Sequence, residues 1–195
     1  MANFGNETDG ASSTTILDAD GDNKWVSSAS PASSGTVVSM THRLHVTAGS
    51  VNVRGIIYSD NAGAPGTLLA VTDDGNVTGT AEAAVTLNFS GANIISITSG
   101  TTYWIGLHWQ SPSGGDMVLS RSATANLRRT SDGSDTFTGG TATDFAVPST
   151  LSGPVDTYVT YTTTSIKNVN GLAVASVKSK NGLAIASIKN FNGLA

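Results

Sequence analysis

Val38-Ser-Met-Thr-His-Arg-Leu-His-Val46 is the stretch whose reading decides the fold. Val38, Met40, His42, Leu44 and Val46 alternate with Ser39, Thr41, Arg43 and His45, a period-2 pattern with one apolar face. Val51, Val53, Gly55 and Ile57 repeat it, with Asn52 and Arg54 opposite; Ala48-Gly49-Ser50 between the two runs predicts a hairpin. Further along, the turn-rich Ser59–Gly66 segment leads into an apolar run at Thr67–Thr72, and Asp73-Asp74-Gly75-Asn76 marks another turn. Val85, Leu87 and Phe89 alternate, Ile94–Ile97 makes a short strand, and Tyr103, Ile105, Leu107 and Trp109 share one face of Thr101–Gln110. Met117–Arg121, Leu127–Thr130 and Val155–Thr163 complete the series. No segment sustains a 3.6-residue period. Roughly nine or ten short strands spaced by Gly, Asp, Asn and Ser turns predict an all-β fold, an antiparallel β-sandwich of jelly-roll-like type. The Val38–Val46 and Thr101–Gln110 strands should be central. Val38, Met40, Leu44, Val53, Ile57, Leu87, Phe89, Tyr103, Ile105 and Leu107 should form the core.

The last part of the chain is different. Asn170-Gly-Leu-Ala173, Asn181-Gly-Leu-Ala184 and Asn192-Gly-Leu-Ala195 recur every 11 residues, with Val174-Ala-Ser-Val-Lys178 and Ile185-Ala-Ser-Ile-Lys189 between them. Steps of two between apolar positions and one Gly per unit argue against a helical coil. They favour extended pieces with an Asn-Gly turn in each unit. Residues 1–164 therefore read as the sandwich domain with an N-terminal arm, and 165–195 as a short extended repeat tail. So few units do not bury their own apolar side chains, which makes Leu172, Val174, Val177, Leu183, Ile185, Ile188, Phe191 and Leu194 the expected assembly residues. Burying one such side chain is worth ~1.5–3 kcal/mol against ~0–1 kcal/mol for a surface ion pair. Association through the tail should be mainly apolar and only weakly salt-sensitive.

Composition narrows the function classes. Charged residues are only 12% of the chain, well below the usual share, so the surface relies on hydroxyls and amides. There is no cysteine, hence neither a disulfide nor thiol chemistry. The N-terminal residues lack the pattern of a signal peptide, and no run is apolar enough for a membrane span. The tail holds four of the ten basic residues and none of the fourteen acidic ones. The net-negative body argues against nucleic-acid binding, which needs a positive footprint.

Candidate chemistry is sparse. Asp18, Asp20 and Asp22 alternate in a turn, and two readings stand: a calcium site built from oxygen ligands, or a solvated acidic turn. The second is favoured by Gly21 and Ala29, which depart from the calcium-loop pattern. His42 and His45 lie three apart on a strand and face opposite ways, so they do not share a metal. His108 should face away from the core, beside Trp104. No nucleophile elbow, zinc-protease motif or phosphate loop occurs, and no glutamate pair suits glycoside hydrolysis. No catalytic residue and no cofactor is nominated. Trp104 and Tyr58, on outward faces, are the candidates for stacking on a sugar ring; packing within the sheet is the competing role.

Phe4-Gly-Asn-Glu-Thr-Asp-Gly-Ala-Ser-Ser13, Val53–Asp60 with Ala64-Pro-Gly66, and Gly100–Leu107 together resemble a jelly-roll module of tailed-phage structural proteins and bacterial surface proteins. The Asn-Gly-Leu-Ala repeat resembles C-terminal tails of phage virion proteins. The resemblance implies a non-enzymatic virion protein, a capsid decoration or fibre component, assembled in the host cytoplasm and displayed on the virion surface. Its implied partners are other virion proteins and copies of itself, anchored through both termini. The alternative is a carbohydrate-binding module or adhesin that recognises surface glycans.

Overall fold

In the computed structural model, the described residues are 1–7, 12–16, 23–121, 126–131, 137, 149–163, 168–169, 172–173, 179–180 and 183–184. The chain divides into two units, Met1–Thr163 and Thr164–Ala195. The first is an antiparallel β-sandwich. Its strands are β1 (Ala2–Gly5), β2 (Ser12–Ile16), β3 (Asn23–Ala29), β4 (Gly35–Val46), β5 (Val51–Asp60), β6 (Pro65–Val71) and β7 (Gly75–Val77), followed by β8 (Ala83–Asn88), β9 (Ser96–Ile97), β10 (Tyr103–Trp109), β11 (Met117–Arg121), β12 (Asn126–Ser131), β13 (Ser149–Ser152) and β14 (Thr157–Thr163). The only helical element among the described residues is a single 3₁₀ turn, Gly91–Asn93.

The first sheet is organised around β4, whose twelve residues pair with β14 and then β11 on one side, and with β9 and then β8 on the other. β1 extends this sheet beyond β14, and β2 beyond β11. The second sheet runs β13-β12-β3-β10-β5-β6, with β7 also on β5. The two long alternating runs are thus the middles of opposite sheets.

That placement corrects the expected hairpin between the first two runs. β4 and β5 do not pair with each other; residues 47–50 carry the chain from one sheet to the other. Both sides of β4 are occupied by other strands, while Gly49, at φ +67°, turns against Ser113, whose backbone pairs with Ser50. A pattern of apolar faces fixes which way side chains point, and two strands packed face to face across a core carry the same pattern as two strands side by side.

The space between the sheets is filled by two adjoining clusters. One holds Trp25, Leu44, Val53, Leu87, Leu107, Trp109 and Met117; the other holds Phe4, Val37, Met40, Ile57, Phe89, Tyr103, Ile105 and Tyr161. Trp25 and Trp109 meet edge to face, their ring centres 5.6 Å apart, and Phe4 meets Tyr161 in the same manner at 5.8 Å. Every expected core residue is buried except Val38, which is half-buried while Val37 is 1% exposed. The reason is a bulge: Ser39 faces Thr160 and Val37 faces Tyr161, so Val38 is the extra residue and the alternation slips by one. The expected N-terminal arm is also different over residues 2–5. These form the edge strand β1, paired with Tyr158–Tyr161, and Phe4 is buried in this chain's own core.

Candidate functional site

The outer face of the second sheet is where sequence reasoning placed Trp104, Tyr58 and His108. Strand register arranges its side chains in cross-strand rows. Ser28, Trp104 and Tyr58 stand opposite one another across β3, β10 and β5; Val26, Gly106 and Ile56 form the next row, and Lys24, His108 and Arg54 the third. A fourth row is made of amides: Asn76 Nδ2 donates to Asn52 Oδ1, and Asn52 Nδ2 donates to Gln110 Oε1, both at 2.7 Å. The face therefore grades from aromatic through aliphatic and cationic to amide.

The outward orientation holds, and the exposure does not. Tyr58 is fully buried and Trp104 is 3% exposed, packed with Val26 and Ile56 in a third apolar cluster that Leu68 and Val71 flank. Trp104 Nε1 donates to Asp60 Oδ1 at 2.8 Å, and the same carboxylate accepts the backbone N–H of Gly63. The indole is thus bound into the β5–β6 turn, and neither ring presents a face to a sugar. Among the described aromatic residues, Tyr158 alone is not buried. A strand with both faces covered shows the same alternation of residue types as a half-exposed one when large amphipathic rings lie on its second face.

The cationic row is buried too: Lys24 and His108 are inaccessible and Arg54 is 6% exposed. Arg54 stacks its guanidinium carbon 3.9 Å above the centre of the Phe137 ring, donates to the Phe137 carbonyl at 2.5 Å, and pairs with Asp74 at 3.1 Å. His108 meets the same ring at 5.3 Å. The arrangement has the composition of an anion site but the geometry of a latch, since Arg54 is spent on holding the Phe137 backbone and ring against the sheet. Nothing in the sequence signals that this face is covered, because a lysine such as Lys24 ordinarily marks an exposed face.

The remaining polar groups do not converge. His42 lies on the core face of β4, fully buried, with Nδ1 2.7 Å from Thr157 Oγ1. The pair has the reach of a base and a nucleophile, yet Thr157 is 1% exposed, so no substrate meets it. Burial lowers the His42 pKa from its ordinary value to about 3, because a charged imidazolium has no water here. Three of the described carboxylates are tied up separately. Glu82 accepts from Ser120 at 2.5 Å and faces Arg43 at 3.7 Å, Asp73 accepts from Ser90, and Asp156 accepts from Asn6. Among the described residues no three potential metal ligands come together, and no helix is long and apolar enough to cross a membrane. Asp18, Asp20 and Asp22 lie outside the described residues.

In the second unit, β15 (Asn168–Val169) pairs with β16 (Leu172–Ala173), and β17 (Ser179–Lys180) pairs with β18 (Leu183–Ala184). Val169 faces Leu172 and Lys180 faces Leu183. The two pairs repeat at the 11-residue spacing, and Asn170-Gly171 and Asn181-Gly182, where the turns were expected, lie outside the described residues. Leu172 and Leu183 lie in these strands; the side chains of both, and Val174, Val177, Ile185, Ile188, Phe191 and Leu194 altogether, lie outside the described residues. Compared with known proteins, the chain matches no family model and no curated sequence.

Proposed function

We propose that this protein is a non-enzymatic structural component of a tailed-phage virion, a capsid decoration or fibre protein, whose sandwich is displayed on the virion surface and whose tail engages neighbouring subunits. Assembly in the host cytoplasm and contacts with other virion proteins belong to this reading. The observation that carries it is the tail: two hairpins whose strands are two residues long each, in a 32-residue unit rich in Leu, Val and Ile. An isolated hairpin is marginal in water even with longer strands, so these require a surface to close on. The described polar groups support the non-enzymatic half of the reading, because each carboxylate or imidazole in contact with another group serves packing. Anchoring is assigned to the tail alone, since Phe4 of β1 is committed to the core. A glycan-binding alternative has Tyr158 as its one unburied described aromatic residue and is not favoured.

The test is deletion of residues 165–195. The truncated protein should keep its β-sheet circular dichroism and solubility and lose self-association and incorporation into particles, read by mass photometry. Incorporation at unchanged occupancy would overturn the reading.

A further inference from the structure

We propose that the outer edge of β8 is the docking surface for the tail of a second copy of this chain; the proposal rests on the assembly reading above and names its receptor.

The backbone of β8 shows which of its groups are committed. Phe89 N–H donates to Val38 O on β4, while Asn88 O accepts from Asp73 N on the opposite side. Neighbouring residues of a strand direct their backbone groups to opposite sides, so Leu87, Val85 and Ala83 face β4, and Asn88, Thr86 and Ala84 face outward. Thr72 and Asp73 bridge that outward side at Phe89 and Asn88, and among the described residues no strand pairs with it at Thr86 and Ala84. Ala83, Ala84, Thr86 and Asn88 are exposed. The strand lacks the usual protections of an open edge: it holds no lysine, no proline and no inward charge. By contrast β6, the margin of the other sheet, gives the N–H of Val71 to Asn93 Oδ1 at 3.1 Å.

Charge selects the occupant. Exposed Asp73 lies against the last residue of β8, while Glu82, which precedes the strand, is turned across β4 to Arg43 and Ser120, so one carboxylate stands at the open edge. Residues 55–120 contain five acidic residues and no lysine or arginine. The tail is the reverse, with Lys167, Lys178, Lys180 and Lys189 and no acid. Its units already adopt strands, and an added strand is bound through backbone hydrogen bonds whatever its sequence, with side chains setting selectivity. Two tails brought side by side would instead set like charges against each other. The lysines choose the edge and speed encounter, while apolar burial and backbone pairing supply affinity, which keeps salt sensitivity low.

The experiment uses the full chain. Ala84→Pro removes one outward N–H and leaves the β4 ladder intact, a substitution edge strands accept. It should keep the melting temperature within the wild-type range and weaken self-association about tenfold. Asp73→Lys, at an exposed position, should do the same and serves if Ala84→Pro does not fold. Carbodiimide coupling of mixed light and heavy isotope-labelled protein should join tail lysines to Asp73 between chains. Wild-type association in a folded variant, or coupling confined to single chains, overturns the proposal. If deletion of 165–195 still abolishes association in that case, the assembly reading stands and only this receptor falls. If that deletion leaves association unchanged, both fall.

Discussion

His42 makes the stability of the sandwich depend on pH in a window where carboxylates are silent. The imidazole is a base whose folded pKa is depressed, from 6.5 to about 3, by burial between the sheets. Above pH 6.5 both folded and unfolded chains hold it neutral, and stability is fully present. As pH falls through 6.5 the unfolded chain takes up a proton that the folded chain refuses, so stability declines until the pH reaches about 3. The slope is about 1.4 kcal/mol per pH unit, hence about 2 kcal/mol between pH 6.5 and 5. Ordinary carboxylates remain ionised over that interval. The control is His42→Leu combined with Thr157→Val, which removes the proton site without stranding the Thr157 hydroxyl, a loss that alone costs about 1–3 kcal/mol. Urea unfolding at several pH values gives the midpoint for each protein. With m near 2 kcal/mol/M, the wild-type midpoint should fall by about 1 M between pH 6.5 and 5, and the double variant should respond much less. His45 and His108 are present in both proteins, so the difference isolates His42. Equal slopes in the two proteins would refute the assignment.

Other substitutions test the turn, the outer face and the close approach of strands. Ala62 sits at φ +52° in the β5–β6 loop, so Ala62→Gly should relieve strain and raise stability by about 0.5–1 kcal/mol in thermal unfolding. Trp104→Phe keeps the ring and loses the bond to Asp60; a fall of about 1–3 kcal/mol is expected in the same assay, and no change would place that carboxylate in water rather than in the turn. A Cβ at Gly106 would lie 1.8 Å from the Trp25 carbonyl oxygen, so Gly106→Ala should cost more than about 3 kcal/mol and reduce soluble yield.

Much of the fold was legible because alternation reports orientation directly. β4, β5, β8 and β10 each carry apolar residues at every second position, and their inward faces follow. β3 was missed: in Asn23-Lys-Trp-Val-Ser-Ser-Ala29 the first five residues are all buried, and Lys24 and Ser27 break any apolar period. The Val38 bulge was illegible because valines stand at both 37 and 38 and either could face inward. Exposure of Trp104 and Tyr58 was unreadable for a related reason. Facing away from one core says nothing about whether another segment covers the far side. In the tail, the expected extended pieces correspond to the described pairs Asn168–Val169 with Leu172–Ala173 and Ser179–Lys180 with Leu183–Ala184.

The pairing of β1 with β14 has a kinetic consequence. Residues 2–5 are held by residues 158–161, so the first and last strands of the body complete one another. β4 and β5, though consecutive, lie in different sheets and gain no pairing by meeting early. Loop closure must come before reward, which places the body among slow folders, in the range of about milliseconds to seconds. A nascent chain that has not yet delivered β14 leaves Phe4 without Tyr161 and β4 with an open side. For that interval it resembles a sheet waiting for a partner strand, and β14, when it emerges, fills both places at once.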